Sequence, residues 1–231
     1  MTDDTAKAPE TSSPDKSPRA CIIAAFMALL AEKPIERIER TEIAQRANVS
    51  LAALRSEFSS PFAILAAQVK DIDRAVLDGA GRGAADDMAD EPPRERLFDV
   101  LMRRIEVMEP HKAAIRSLMR SATRDPALAL ALNGLTVRSQ QWMLAAAGIS
   151  TSGPKGAVRA QGLALLFASV LRTWAHDDDP GHARTMAALD RALGRGQRWA
   201  SFLDDILSIP ERLCRARPRS RRKANEDVAA A

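Results

Sequence analysis

The sequence predicts an all-α fold. Apolar residues recur at spacings of three and four in every periodic segment, and no run alternates β-branched with polar residues. The segments are also punctuated by Pro and Gly at helix-length intervals. With 231 residues, 46% of them apolar, the chain can bury a full core in one domain or two.

Residues 1–18, rich in Ser, Pro, Thr and Asp, are expected to be a disordered segment. The first helix runs over Pro18–Glu32 and is stopped by Pro34. Its apolar stretch ACIIAAFMALLA has the look of a secretory signal core. Polar and acidic residues precede it and no small-residue cleavage site follows, so an amphipathic helix is expected instead. Residues 41–58, TEIAQRANVSLAALRSEF, form a helix, a tight turn and a second short helix. Ile43, Ala44 and Ala47 face inward on the first, Asn48 and Val49 turn, Ser50 caps the second, and Leu54 and Phe58 anchor it. This is helix-turn-helix spacing, in which the outer face of the second helix is free to enter a DNA major groove. A fourth helix starts at Pro61 and carries Phe62, Ile64, Leu65, Val69, Ile72 and Val76 to Gly79.

The interior linker signal follows, GAGRGAADDMADEPP, with its Gly, Asp and Pro. The expected units are a helix-turn-helix with its connecting helix over 19–79, a linker over 80–93, a helical body over 94–208 and a basic disordered tail over 209–231. In the body, helices are expected near 94–108, 111–122, 126–147, 156–177 and 182–207. Phe98, Met102 and Ile105 share one helix face. With Met119, Leu128, Leu132, Trp142, Phe167, Leu171 and Trp174 they are expected to line a chamber for an apolar effector. In the last helix Met186, Leu189, Leu193, Gly196, Ala200, Leu203 and Leu207 make a three-four seam, expected at a homodimer interface.

Composition excludes several classes. Two cysteines, Cys21 and Cys214, make no disulfide framework and point to a reducing cytoplasm. The apolar run of residues 163–171 is too short to span a bilayer, so no integral membrane association is expected. No nucleophile elbow, phosphate loop or zinc spacing occurs, and Gly79, Gly81 and Gly83 lack the strand that a dinucleotide fingerprint requires. Neither an enzyme nor a cofactor is expected. His176, Asp177, Asp178, Asp179 and His182 cluster around a turn, where acids suit the start of the next helix better than a metal.

The layout resembles the TetR family of one-component bacterial regulators. The likeness rests on LLAEKPIERI, TEIAQRANVSLAALRSEF and the following SSPFAILAAQV, within residues 20–69. It implies three DNA-binding helices, a connecting fourth, and a ligand-binding body whose last two long helices pair in a dimer. It further implies a repressor whose palindromic operator is released when an effector binds. Carried onto this chain, it makes Thr41 a phosphate contact and Gln45 a phosphate or base contact, with Arg40 beside them. Ser50, Leu51, Ala52, Arg55 and Ser56 become the exposed reading face, and Arg55 the base reader, since a guanidinium can bind guanine O6 and N7 together. The chain departs from the family at Arg55, usually aromatic, at Glu57, usually His, and at Pro61, usually a phosphate-binding Lys. Residues 1–78 hold ten Lys and Arg against twelve Asp and Glu, whereas residues 212–223 carry seven basic groups and no acid. A second resemblance runs through residues 171–196, LRTWAHDDDPGHARTMAALDRALGRG. It is to the lipid-binding accessory proteins of ubiquinone biosynthesis, which share the fold and do not bind operators.

Overall fold

The computed structural model describes residues 17–80 and 91–196, and every regular element among them is helical. In chain order these are α1 (Pro18–Glu32), α2 (Arg40–Arg46), α3 (Leu51–Glu57), α4 (Pro61–Ala80), α5 (Pro93–Met108), α6 (Lys112–Ala122), α7 (Pro126–Ala146), α8 (Gly153–Trp174) and α9, described over 183–196. The expected terminal segments, most of the linker, and Ala200, Leu203 and Leu207 of the seam lie outside the described residues.

α1 starts where the Ser17 hydroxyl accepts the Ala20 N–H at 3.2 Å and Pro18 takes the first helical position. It is not the one-sided helix expected. Ile22, Ile23, Phe26, Met27, Leu29 and Leu30 are all buried, because α2, α3, α4 and α6 pack around it. A helix covered on most sides has no polar face to show.

Two apolar cores result. The head core joins Phe26, Leu30, Ile43, Leu54 and Ile64 with Ala114 and Leu118 of α6, and α7 adds Leu128, Leu132 and Leu135 at its edge. The body core joins Ile72, Val76, Leu101, Ile105, Met143, Phe167, Trp174 and Leu189. α4 and α7 therefore run through both, and the head is completed by helices from beyond the linker. Two α6 hydroxyls fasten the junction: Ser117 donates to the Lys33 carbonyl at 3.2 Å and Ser121 to Glu36 at 2.9 Å.

Against the body core sits a buried polar group. Arg104 donates to Asp73 at 2.5 Å, Ser139 donates to the same oxygen at 2.7 Å, and the guanidinium lies 5.6 Å over the Phe167 ring. Burial lowers the Arg104 pKa, opposed by the Asp73 carboxylate. At the far end of the body, Glu109 accepts from the Trp174 indole at 2.7 Å and from Lys112 at 3.1 Å, and Lys112 also donates to the Asp177 carbonyl.

α8 begins and ends about three residues earlier than its spacing predicts. Its start is set by Ser152, by Gly153 at φ +67 and by the following Pro154. A Cβ at Gly156 would lie 2.0 Å from the Thr151 backbone, so only glycine lets the preceding loop fold onto the first turn. At its other end Asp177 has left the helix to cap α9: one of its oxygens accepts both the N–H and the hydroxyl of Thr185, at 2.9 and 2.7 Å.

Candidate functional site

The α2–α3 corner is built from local rules. Glu42 accepts the Glu39 N–H at 2.9 Å and steadies the start of α2. The chain turns through Asn48, which takes a left-handed φ of +54, and the Val49 N–H closes the turn on the Ala44 carbonyl at 3.0 Å. Asn tolerates this conformation better than most side-chain-bearing residues. The Ser50 hydroxyl then accepts the Ala53 N–H at 3.0 Å and starts α3. Ile43, Ala44 and Leu54 are buried at the corner, so α3 is held rigidly with its opposite face outward.

That face presents Ser50, Leu51, Ala52, Arg55 and Ser56, all exposed, and Thr41, Gln45 and Arg40 are exposed on α2. Arg40, Leu51 and Arg55 line one shallow crevice of about 50 Å³ with Phe58 and Pro61. All eight residues expected at a DNA surface are thus solvent-accessible, and the two arginines share a wall. Ser56 turns its hydroxyl back onto the Ala53 carbonyl at 2.8 Å.

Charge around the corner is partitioned. Arg46 holds Glu32 through two bonds of 2.6 and 2.9 Å, which lowers the Glu32 pKa and raises that of Arg46. Lys33 pairs with Glu42, lowering its pKa. Those cations are consumed within the head. Among the described residues Arg37, Arg40 and Arg55 make no ion pair, so Arg40 and Arg55 are the crevice cations open to an external anion. Arg37, exposed between α1 and α2, helps to lower the Glu36 pKa and is a cation that the sequence pattern did not single out.

The ten residues expected around an effector are not gathered in one chamber. Phe98, Met102, Ile105, Phe167, Leu171 and Trp174 belong to the body core, where Ile105, Phe167 and Trp174 are at most 1% exposed. Leu128 and Leu132 lie against the head core, Met119 is half-buried, and Trp142 is 59% exposed. Trp142 lines a groove of about 430 Å³ between α4 and α7.

The seam of α9 is divided as well. Leu189 and Leu193 are buried in the body core, and a Cβ on Gly196 would sit 3.3 Å from Leu166, whereas Met186 is 41% exposed. An apolar row on α8 is uncovered instead: Val158 and Leu165 are 48% and 62% exposed, with Ala157 and Gly162 beside them. At the His/Asp turn, Asp179 accepts the Gly181 and Ala183 N–H groups at 3.2 and 3.1 Å, so its carboxylate serves the start of α9. Among the described residues no cluster of His, Cys, Asp and Glu is arranged to hold a metal, and no helix is long and apolar enough to cross a membrane.

No family model matches the sequence, and no curated protein matches it. The fold is similar to solved structures of TetR transcriptional regulators. The one from Nitrosomonas europaea has a TM-score of 0.61 at 19% identity, covering 79% of this chain and 99% of its own. One from Rhodococcus sp. RHA1 scores 0.56 at 22% identity over 78% of this chain and 94% of its own. A TetR-family regulator from Streptomyces coelicolor scores 0.52 at 13% identity, over 88% and 90%. The all-α fold is therefore the TetR-like one.

Proposed function

We propose that this chain is a dimeric, cytoplasmic DNA-binding transcriptional regulator of the repressor type, whose operator affinity is set by a small-molecule effector bound in the body. The observation that carries it is the α2–α3 corner: a capped, rigidly held α3 whose outward face offers Arg55, Leu51 and Ser56 beside the free Arg40. A helix so carried can enter a major groove, with phosphate contacts setting its register and Arg55 reading a base. The fold shared with TetR regulators supports the same reading. A dimer would bring two such faces to a palindromic site, and the exposed α8 row with Met186 supplies an apolar surface for the contact.

A second reading is a lipid- or quinone-binding accessory protein that keeps the fold without operator binding. Its support is local: the exposed Glu57 ends α3, and Pro61 has neither charge nor N–H to offer a phosphate there. A salt titration of binding to the chain's own upstream DNA separates the two. Regulation requires sequence-selective binding that falls steeply with salt and weakens about tenfold or more in Arg55→Ala. Weak binding without sequence preference, unchanged in Arg55→Ala and abolished by deleting residues 212–231, would reject it.

A further inference from the structure

The groove between α4 and α7 has a volume of about 430 Å³, within the range of small-molecule sites. Its walls are apolar: Val69 and Leu77 from α4, Leu135 and the Trp142 indole from α7. An indole at 59% exposure on an otherwise apolar wall is an uncovered surface of the kind ligands cover.

The charge of the groove decides what fits. Asp73 reaches the floor, but Arg104 behind it neutralises its carboxylate and Ser139 donates to it. Arg74 is held, weakly, by Asp71 at 3.4 Å. Lys70 and Arg138, one on each wall, have no hydrogen bond or ion pair among the described residues. Asp78 stands on α4 about 12 Å of helix beyond Lys70, at 1.5 Å per residue, so it leaves the Lys70 end cationic.

We propose that this groove binds an amphipathic anion, its carboxylate between Lys70 and Arg138 and its aliphatic or aromatic body along Val69, Leu77, Leu135 and Trp142. The proposal rests on the regulatory reading only in taking this ligand as the effector. It replaces a purely apolar ligand in the core with an acid on the groove, where α4 carries the contact toward the reading head. A carboxylate there gains two charge-assisted partners that neither a neutral nor a cationic analogue can use.

Calorimetric titration of the DNA-free, full-length protein tests it, with dodecanoate and dodecyltrimethylammonium kept below their micelle concentrations and dodecanol below its solubility limit. Dodecanoate is expected to bind at least tenfold more tightly than the other two, and to blue-shift the tryptophan emission. The double variant Lys70→Gln/Arg138→Gln is expected to lose at least tenfold in affinity for dodecanoate with an unchanged thermal midpoint, because both side chains are exposed and unpaired. Lys70→Arg/Arg138→Lys should restore the binding. Equal affinity for dodecanol, or full dodecanoate affinity in the Gln variant, would overturn the proposal. So would a concentration-dependent emission shift without ligand that Trp142→Phe abolishes, which would mean that a second copy of the chain occupies the groove. DNA retention is measured separately: dodecanoate binding by a protein that holds no DNA keeps the groove and rejects regulation, and selective DNA binding without dodecanoate binding does the reverse.

Discussion

Asp177 is 1% exposed, and one of its oxygens accepts two bonds from Thr185 while the other has no partner. The Thr185 hydroxyl, above all, draws its pKa below the usual carboxylate value. The ionised form is thus favoured on folding, and its contribution is present above the unfolded pKa of about 3.9 and lost as pH falls through the lower folded value. Asp177→Ala is expected to destabilise the protein by about 1–2 kcal/mol at pH 7, as for a lost helix cap. In urea titrations that difference should shrink at pH 3 and below. Capping by acids of this turn was legible in the sequence, since they immediately precede a helical repeat. The Asp73–Arg104 pair was not, because its members lie 31 residues apart on either side of the linker. Arg104→Ala would leave a buried carboxylate with only Ser139, and a loss of about 3–5 kcal/mol in urea midpoint analysis is expected. Replacing both members with Leu and Met should cost much less; an equal loss would contradict the assignment.

Among the elements, the α2–α3 corner was legible from local determinants, the cap at Ser50, the turn at Asn48 and the spacing of Ile43, Ala44 and Leu54, whereas the Glu39–Glu42 cap that starts α2 was not. Ser50→Ala is expected to cost about 1 kcal/mol, measurable as a lower urea midpoint. The α9 seam was legible as a pattern but not as a contact. Spacing says that a stripe is buried, not by what, and here the body core itself covers Leu189 and Leu193. Among the described residues, α8 leaves Val158 and Leu165 exposed. Leu165→Glu is therefore expected to weaken self-association by more than tenfold in sedimentation equilibrium with little change in thermal midpoint, since Leu165 is 62% exposed. A dimer unaffected by that substitution would use another surface. The residues expected around an effector are divided for a related reason: α7 is long enough to leave one core and enter the other, so Leu128 and Leu132 lie against the head core while Phe167 and Trp174 lie in the body core.

Across the whole molecule, the composition shift near residue 80 marks a break in the chain and not in the packing. Phe26, Leu30 and Ile64 share their core with Ala114 and Leu118, and α6 packs against α1. A fragment of residues 17–80 is accordingly expected to lack a cooperative thermal transition, whereas residues 17–196 should show one by calorimetry. The same sharing gives any event in the body two mechanical routes to α3, through α4 and through α6, whose Ser117 and Ser121 grip the segment just ahead of α2. For anyone building chimaeras, the reading head is then not an interchangeable cassette. Swapping heads at the linker would graft a foreign α6 onto α1, and a functional hybrid would have to carry α6 and the first turns of α7 along with the helices that touch DNA.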